Sequence, residues 1–322
     1  MTSTLLPVLH QTKPLAPIPA SVLQAGPAAT FAWDEYFSGM IRNRHTKASD
    51  LRAVTRFLKW IEPAACPLER VTPGMIGRYM DELPLSATSR KVHLAAIRSF
   101  FDVLTVRHVV VMNPAHSVRG ERISITEGVT PEISLPQVRA LLASIDTSTL
   151  LGKRDKAIIA CLLFTAARAG AVASLTRGSF QHDGTQYRLR FLEKGGKRRD
   201  IPVRSDLEIW LLDYLAAAGL SEAAPTSPLF RSASGKSGRL TGKPITGVDV
   251  CRLVKRRLAE AGLPTHLSPH SFRVAAASDL LRQSVPLEDV QFLLGHSDSR
   301  TTQLYDRRQR SVTRNIVERI SA

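Results

Sequence analysis

The chain has 322 residues, 43% of them hydrophobic, so it is long enough for two domains that each bury an apolar core. Its 44 Lys and Arg residues against 28 Asp and Glu give a formal net charge of +16, which favours a polyanionic partner: DNA, RNA or an anionic membrane. Cys66, Cys161 and Cys251 stand far apart, a spacing that indicates neither a disulfide scaffold nor a zinc ribbon. Without a long apolar run or a signal-peptide pattern, the sequence predicts a soluble protein of a reducing compartment.

Residues 1–27 carry five prolines and have no helical periodicity, which predicts a flexible tail. Residues 28–112 follow a helical pattern, in which Leu51, Val54 and Leu58 share one face of a predicted helix. The apolar positions of a later helix are Val92, Ala96, Phe100 and Val103. The basic residues that we expect on the solvent side of these helices are Arg52, Arg56, Lys59, Arg90, Lys91 and Arg98. The pattern predicts a small helical domain with a basic face.

The polar, turn-rich stretch 113–132 is predicted to link this domain to a second one, 133–322. Ser134, with Gln137 three residues later, predicts a capped helix at the start of the second domain. The first 130 residues carry 15 Lys and Arg against 10 Asp and Glu, and the remainder carries 29 against 18. Both domains are therefore basic, and the larger positive excess lies in the second.

The second domain contains a buried helical stretch, "RDKAIIACLLFTAARAGAVASLT", that is interrupted near Ala169 and Gly170. The segment "TQYRLRFLEKGGKRRDIPV" alternates polar and apolar residues on both sides of a glycine turn, which predicts a β-hairpin with Lys194 and Lys197 at its tip. The helices expected downstream span about 206–218, 249–261, 269–282, 286–294 and 299–307. The domain is predicted to be α+β, mainly helical with one small antiparallel sheet.

The segment "SPHSFR" predicts a helix start that presents two polar side chains. Ser268 as N-cap and Pro269 at the first helical position place His270 and Arg273 one turn apart on one face. Both can reach one anion, and the N–H groups of a helix N-terminus also favour phosphate. By itself, the HxxR spacing is more often a surface pair or a hydrogen-bonded buried histidine than a phosphate site.

The stretch "LLGHSDSRTTQLY" follows the next predicted helix. Gly295 suits the left-handed residue that ends a helix, so His296 would lie just beyond a rigid end. Asp298 or Ser299 can cap another helix, on which Tyr305 would lie about 9–10 Å along the axis. Because the chain reverses between the two helices, His296 and Tyr305 can face one site.

In this order and spacing, "HSFR", "LLGHSD" and "TTQLYDR" resemble the tyrosine recombinase (phage integrase) family, particularly its Xer-like branch. The gaps of 23 residues from Arg273 to His296 and of nine from His296 to Tyr305 are typical of that family. The resemblance covers most of residues 30–322. It implies a mainly α tyrosine recombinase fold, in which a helical, SAM-like core-binding domain precedes an α+β catalytic domain with a small antiparallel sheet. It also implies a cytoplasmic, nucleoid-associated protein of a prokaryote.

The family's first arginine usually follows a "TG-hydrophobic" sequence at the end of an apolar helix, and Arg168 takes that position in "LLFTAARAGAVASL". The usual glycine is Ala166 here, and the glutamate commonly found three residues after the arginine is Ala171. The hydrogen bonding around Arg168 should therefore differ from the family pattern. An ordinary arginine at a helix end is the alternative interpretation, and Arg177 is a weaker rival.

The family's lysine is the first lysine of a "GKGxK" turn, a position that Lys194 takes in "LEKGGKRRDIPV". Lys197 is the competing candidate, and a solvated basic hairpin tip is a third interpretation. On the hairpin, Lys194 would reach into the minor groove and protonate a departing 5′ oxygen.

The resemblance implies transesterification at a DNA phosphate, which needs a nucleophile, charge neutralisation and proton transfer. Tyr305 would attack the phosphorus, while Arg168 and Arg273 would hold phosphate oxygens with their planar donor forks. His270 would act as general base, and His296 would donate a hydrogen bond to the phosphate in the transition state. The product is a 3′-phosphotyrosyl link, and the resemblance implies no ATP, no metal ion and no other cofactor.

The implied partner is a double-stranded DNA recombination site, held between the two domains as in a clamp. The residues expected to contact DNA are Arg52, Arg56, Lys59, Arg90, Lys91, Arg98, Lys197 and Arg198. For any one of them a solvated basic surface is the alternative, and phosphate contacts of this kind do not specify sequence. A homotetramer on two DNA sites is implied, an accessory protein or partner recombinase is a further candidate, and no membrane partner is expected.

Two other functions use the same fold. A type IB topoisomerase shares the nucleophile and the cationic pocket but relaxes supercoils, and a catalytically silent regulator would only bind DNA. After the tyrosine, Val312, Ile316 and Ile320 recur at four-residue spacing, which predicts a short amphipathic helix that docks on a neighbouring protomer or packs in cis. The target site, and the choice among integration, excision, transposition and dimer resolution, stay open.

Overall fold

The computed structural model describes residues 17–121, 130–192, 198–235, 237–295 and 302. The chain divides into an N-terminal unit, Met1–Ser124, and a C-terminal unit, Ile125–Ala322, and the division falls within the segment 113–132 predicted to be a linker. Each unit encloses its own hydrophobic core. Over the described ranges, every helix is too short or too polar to span a membrane.

The N-terminal unit is helical. Its helices are α1 (Ala20–Gln24), α2 (Pro27–Asp34), α3 (Arg44–Ile61), α4 (Pro73–Glu82) and α5 (Ala87–Val106). Side chains fix where two of them begin: Asn43 Oδ1 accepts the N–H of His45 at 2.9 Å, and Thr72 Oγ1 accepts the N–H of Met75 at 3.3 Å. The centre of the core is aromatic and consists of Trp33, Tyr36, Phe37, Phe57, Phe100 and Phe101.

The flexible tail predicted for residues 1–27 extends too far along the chain. Ala20–Gln24 forms α1, and Val22 in this helix is fully buried in the N-terminal core. Gly26 has a φ of +89°, which lets the chain turn directly into α2. A five-residue helix is too short to show helical periodicity, so the pattern did not predict it. Residues 1–16 lie outside the described part of the chain.

The core-facing side of α5 differs from the predicted stripe. Phe100 is buried as predicted, but Val92 is 46% exposed. Arg98, predicted to face solvent, is half-buried, and its guanidinium donates to the carbonyl oxygens of Ala115, at 2.9 Å, and Val118. The chain that follows α5 folds back along this helix, and its carbonyl oxygens need donors once they leave water.

The C-terminal unit contains seven helices within the described residues. They are α6 (Leu135–Ser144), α7 (Leu150–Phe164), α8 (Ala169–Ala173), α9 (Ser205–Ala217), α10 (Gly247–Glu260), α11 (Pro269–Arg282) and α12 (Leu287–Leu294). The capping box predicted at Ser134 is confirmed: its Oγ accepts the N–H of Gln137 at 3.3 Å, and the Gln137 side chain accepts the N–H of Ser134 at 2.9 Å. The last four helices begin and end within two residues of their predicted bounds. The helix predicted at 299–307 lies outside the described residues apart from Thr302.

The three-stranded antiparallel sheet consists of β1 (Phe180–His182), β2 (Tyr187–Leu192) and β3 (Arg198–Pro202), in that order. Strands β2 and β3 form the predicted hairpin, in a register that places Phe191 opposite Arg199. Its turn, 193–197, lies outside the described residues. A second sheet of β4 (Arg231–Ala233) and β5 (Leu240–Pro244) was not predicted, because these short strands show little polar and apolar alternation. The predicted α+β, mainly helical class is confirmed.

A break between α7 and α8 positions the candidate site. Helix α7 ends at Phe164, so the interruption begins earlier than the predicted position near Ala169 and Gly170. A small apolar cluster joins the break to α11 and α12, because it contains Ala166, Val274 and Leu294. Three chain segments distant in sequence therefore meet at one place in the C-terminal unit.

Candidate active site

Arg273 is the fifth residue of α11 and is only 1% exposed. Its helix starts as predicted, with Ser268 at the N-cap and Pro269 at the first helical position. Arg273 Nη1 donates to the carbonyl oxygen of Ala166, and Nη2 donates to that of Leu294, both at 2.6 Å. The guanidinium thus connects the break after α7 with the end of α12. A guanidinium has five N–H donors, and these two bonds use two of them.

The structure brings Arg168 and His270 to the same place as Arg273. Arg168 is an exposed residue at the N-cap position of α8, and His270 is an exposed residue in the otherwise buried first turn of α11. Partial burial of the imidazole, followed by the positive charges of Arg273 and then Arg168, lowers the pKa of His270. The lowered pKa favours the neutral imidazole, which has a lone pair that can accept a proton.

Two alanines stand where the family pattern has glycine and glutamate. Ala166 has a φ of +48°, a left-handed conformation that costs an alanine about 1–2 kcal/mol and explains why glycine is usual there. Its methyl group is fully buried in the cluster with α11 and α12. Ala171 is half-buried and packs against the main core, so apolar packing replaces the hydrogen bonds of a glutamate.

Gly295 ends α12 in the predicted left-handed conformation, with φ +65° and ψ +38°. The next residue is His296, which lies outside the described residues together with Lys194, Lys197 and Tyr305. The described part of the site consequently holds three of the six predicted catalytic side chains. Within the described ranges, no cluster of His, Cys, Asp or Glu residues could hold a metal ion.

Arg199 is a buried arginine of the site that sequence reasoning missed. It is 6% exposed, and its Nη1 donates to the carbonyl oxygens of Thr165, at 3.2 Å, and Leu293. Its guanidinium lies 5.2 Å from the ring centre of Phe191. The signal was present in the strand pattern, because Arg199 alternates with its neighbours so as to share the buried face of β3 with Ile201.

Two other arginines lie outside this cluster of contacts. Arg177, the rival of Arg168, donates through Nη1 to the carbonyl oxygen of Phe180 at 3.0 Å and through Nη2 to that of Ser221 at 3.1 Å. Its guanidinium therefore fastens the turn before β1, which disfavours it as the family's first arginine. Arg198 lies on the exposed face of β3.

Arg52, Arg56 and Lys59 lie on the exposed side of α3, which packs along α5. A histidine of α5 that sequence reasoning missed belongs to this surface: His93 Nδ1 lies 3.4 Å from the hydroxyl of Tyr79. Partial burial, then the charges of Arg56 and Arg52, lowers the pKa of His93. The exposed residues Arg52, Arg56 and Lys59 of α3, together with His93 and Lys91 of α5, are called here the α3/α5 surface.

The three basic residues predicted on α5 differ in their surroundings. Lys91 is exposed, whereas Arg90 forms an ion pair with Glu121, and Arg98 donates to carbonyl oxygens as described above. Arg90 and Arg98 thus hold the chain that follows α5. Of the three, Lys91 has the side chain most accessible to a partner.

Residues 132–311 match the phage integrase family, and this match covers more than half of the chain. The chain belongs to this family. Residues 33–108 match the SAM-like N-terminal domain of phage integrases. Membership confirms the resemblance that the HxxR, LGH and tyrosine motifs indicated, and makes the chain a tyrosine-type recombinase, an enzyme that breaks and rejoins DNA strands.

Curated relatives support this assignment over most of the chain. The tyrosine recombinase XerD of Chlorobaculum tepidum is 29% identical over 279 residues, which cover 84% of this chain and 88% of that protein. The tyrosine recombinase XerD of Pseudomonas putida is 32% identical over 214 residues, which cover 66% and 68%. The first of these alignments is long enough to include parts of both units.

Solved structures share the fold. A XerH site-specific recombinase bound to a palindromic difH substrate, in a post-cleavage complex, aligns with a TM-score of 0.66 at 19% identity and covers 80% of this chain and 75% of that one. A lambda integrase tetramer bound to a Holliday junction aligns with a TM-score of 0.61, also at 19% identity, and covers 88% and 78%. The predicted tyrosine recombinase fold is confirmed.

Proposed function

We propose that this phage integrase family member recombines DNA at specific sites and cuts each strand by joining Tyr305 to the 3′ phosphate. The observation that carries the proposal is the convergence of Arg168, His270 and Arg273, close to the helix end that His296 follows. Two guanidinium groups and a neutral imidazole supply the charge neutralisation and the proton acceptor that transesterification needs. His296 adds a hydrogen bond to the phosphate in the transition state.

Strand cleavage starts when His270 accepts the phenolic proton as the Tyr305 oxygen bonds to phosphorus. Arg168 and Arg273 neutralise the non-bridging oxygens as the bond to the 5′ oxygen breaks. Lys194 gives its proton to that oxygen, which leaves as a hydroxyl. The phosphotyrosyl ester conserves the bond energy, so the 5′-hydroxyl of another strand can attack it. That hydroxyl gives its proton to Lys194, and His270 returns its proton to the departing Tyr305 oxygen.

The α3/α5 surface is the proposed DNA contact of the N-terminal unit. Arg52, Arg56 and Lys59 are exposed on α3, His93 on α5 lies close enough for the charges of Arg56 and Arg52 to lower its pKa, and Lys91 is exposed on the same helix. Their positive charges would replace counterions along the phosphate backbone and thereby hold the duplex without selecting its sequence.

The proposed assembly is a homotetramer on two DNA sites, in which the C-terminal segment of one copy docks on the next. An apolar groove of about 670 Å³ in the C-terminal unit is the proposed acceptor; its lining includes Val138, Leu142, Phe164, Trp210 and Leu280. Val312, Ile316 and Ile320 would supply matching apolar side chains. Deletion of residues 311–322, or Ile316→Asp, should abolish synapsis and retain binding to a single site. Ser311→Asp adds the same charge off the apolar positions and should have no effect, whereas normal synapsis by the deletion variant would contradict the docking.

The nucleophile is tested by covalent trapping on a nicked suicide substrate, which loses the 5′-hydroxyl needed for rejoining. The wild-type chain should accumulate a protein–DNA adduct, and Tyr305→Phe should form none while it binds the DNA with unchanged affinity. Tyr187→Phe, which removes a hydroxyl from β2, is the matched control and should form the adduct at the wild-type rate. An adduct with Tyr305→Phe would refute the assignment. Relaxation of supercoiled DNA that lacks a recombination site would favour a topoisomerase instead.

The lysine is tested with a substrate in which sulfur replaces the bridging 5′ oxygen. A thiol has a pKa near ~8.5, against ~15.7 for bulk water, so a thiolate leaves without being protonated. Lys194→Met should slow cleavage of the oxygen substrate by about 10²–10⁴-fold and cleave the sulfur substrate at nearly the wild-type rate. Lys197→Met should cleave both normally. The reverse pattern would assign the role to Lys197.

A further inference from the structure

Two buried arginines connect the same pair of chain segments in parallel. Arg199 donates to the carbonyl oxygens of Thr165 and Leu293, and Arg273 donates to those of the next residues, Ala166 and Leu294. The first carbonyl of each pair belongs to the break after α7, and the second to the last turn of α12. Each guanidinium thus forms a bridge across the same gap.

The bridges stand where two helices end. The last carbonyl groups of a helix have no partner within it, and the helix dipole concentrates negative charge there. Helices α7 and α12 both end beside this gap, at Phe164 and Leu294. A buried cation between two such ends satisfies carbonyl groups that would otherwise be left without donors, which accounts for a guanidinium inside a core.

The two bridged segments carry separate parts of the proposed site. Two residues separate Thr165 from Arg168, and one residue separates Leu293 from Gly295, which directly precedes His296. Arg199 lies on β3, at the end of the hairpin whose turn contains Lys194. In the proposed mechanism Arg273 also donates hydrogen bonds to the phosphate. Arg199 instead donates to carbonyl oxygens from the buried face of β3.

We propose that Arg199 is a positioning residue for strand cleavage: it holds the break after α7 against the end of α12, so that Arg168 and His296 meet the same phosphate. This inference rests on the proposed function. Arg199 itself does not touch DNA in this arrangement, and its loss acts through the placement of other groups. A displacement of about 1 Å at a reacting centre can cost about 10²-fold in rate.

The test is single-turnover cleavage of the nicked suicide substrate at saturating protein, which yields both a rate constant and an endpoint. Arg199→Met removes both carbonyl bonds and should lower the rate constant by about 10²-fold, with the endpoint and the DNA affinity retained. Arg199→Lys keeps the positive charge but replaces the planar guanidinium with a compact ammonium. It should therefore lower the rate constant by about tenfold. Arg190→Met, on the exposed face of β2, removes a surface ion pair with Asp200 and is the matched control.

The outcomes separate positioning from folding. A lower rate constant with the wild-type endpoint supports the proposal. The rate constant should decrease from the wild type to Arg199→Lys and again to Arg199→Met. A lower endpoint with an unchanged rate constant means that fewer molecules are folded and overturns it. Unchanged cleavage by Arg199→Lys and Arg199→Met overturns it as well. A wild-type chain that forms no adduct would instead refute the proposed function, and with it the reaction that Arg199 serves.

Discussion

Arg52 and Arg56 extend from the exposed side of α3, whereas Arg199 and Arg273 of the C-terminal unit are almost completely buried. The exposed pair offers positive charge to any phosphate that comes near. The buried pair donates to backbone carbonyl oxygens at fixed positions. A surface guanidinium acts mainly through its charge, and a buried one also acts through the geometry of its donor fork.

This difference changes what the net charge implies about DNA contacts. The sequence beyond residue 130 has the larger positive excess, but part of it is used inside the protein. The buried carboxylate of Asp155 accepts hydrogen bonds from Arg154, Arg256 and Arg257, which connects α7 with α10. Three arginines around one carboxylate raise the formal charge without providing three phosphate contacts. The positive excess of a unit therefore gives only an upper limit on its contacts with DNA.

Among variants that compare the exposed and the buried arginines, we expect the largest effect from replacing a buried guanidinium with an ammonium of the same charge. Arg273→Lys should lower the single-turnover cleavage rate by about 10²–10³-fold, because an ammonium cannot bond two carbonyl groups and two phosphate oxygens at once. Arg56→Lys is the control on the exposed surface and should change DNA affinity and cleavage less than twofold. Nearly normal cleavage by Arg273→Lys would mean that charge alone suffices at the buried position, and the distinction between the two pairs would fail.

Neutralising Arg52 or Arg56 should weaken DNA binding without changing the rate of strand cleavage. Arg52→Gln and Arg56→Gln should each lower DNA affinity by about five- to tenfold near 0.1 M salt and reduce the slope of log affinity against log salt by about 0.9. The cleavage rate at saturating protein should not change. Titration by fluorescence anisotropy at several salt concentrations measures both quantities. Arg90→Gln, which removes a residue already paired with Glu121, should change the slope less. An unchanged slope in the α3 variants would remove that helix from the DNA contact.

What could be predicted from the sequence was encoded locally. The bounds of α11, the left-handed Gly295 and the capping box at Ser134 depend on residues within one helical turn, and each was predicted correctly. The position of Arg168 required a resemblance, and Arg177 was the weaker rival because it belongs to the turn before the hairpin. The carbonyl contacts of Arg177 in the structure disfavour it further.

What could not be predicted depends on contacts between distant segments. Arg199 bonds to residues 34 and 94 positions away, so its partners become visible only when β3, α7 and α12 are assembled. Arg98 was predicted to be exposed because its own helix gives no sign of the chain that returns along it. For Arg199, the strand alternation indicates the buried face but not the carbonyl oxygens that the guanidinium contacts.

The pKa of His270 measures how strongly the site's cations act on one titrating group. Its pKa is lowered by partial burial and by the charges of Arg273 and Arg168, so in the DNA-free protein the imidazole should titrate below the ordinary value of about 6.5. Removing a neighbouring positive charge favours the protonated form, so Arg168→Gln should raise the pKa. Histidine NMR titration measures both values, and His270→Gln identifies the resonance. If His270 is the base, cleavage should fall as the pH decreases through this pKa. An unshifted pKa in Arg168→Gln would mean that Arg168 has little effect on the imidazole.

The smallest effects should come from two alanines that share a conformation and differ in burial. Ala65 in the N-terminal unit has a φ of +46° and is exposed, whereas Ala166 has a φ of +48° and is fully buried. Replacement by glycine relieves about 1–2 kcal/mol of strain at either position. It also costs about 0.5–1 kcal/mol in chain entropy. Ala65→Gly should therefore raise the free energy of unfolding by about 0.5–1 kcal/mol.

At Ala166 a third effect opposes the gain. Glycine removes a buried methyl group that packs with Val274 and Leu294, at a cost of about 0.8 kcal/mol. Ala166→Gly should therefore leave the free energy of unfolding within about 0.5 kcal/mol of wild type, as measured by hydrogen exchange at the amides of each unit. If Ala166→Gly stabilises its unit as much as Ala65→Gly does, the methyl contributes nothing to the junction of α7, α11 and α12. If it does not, packing at this junction explains how alanine persists in a strained conformation where the family pattern has glycine.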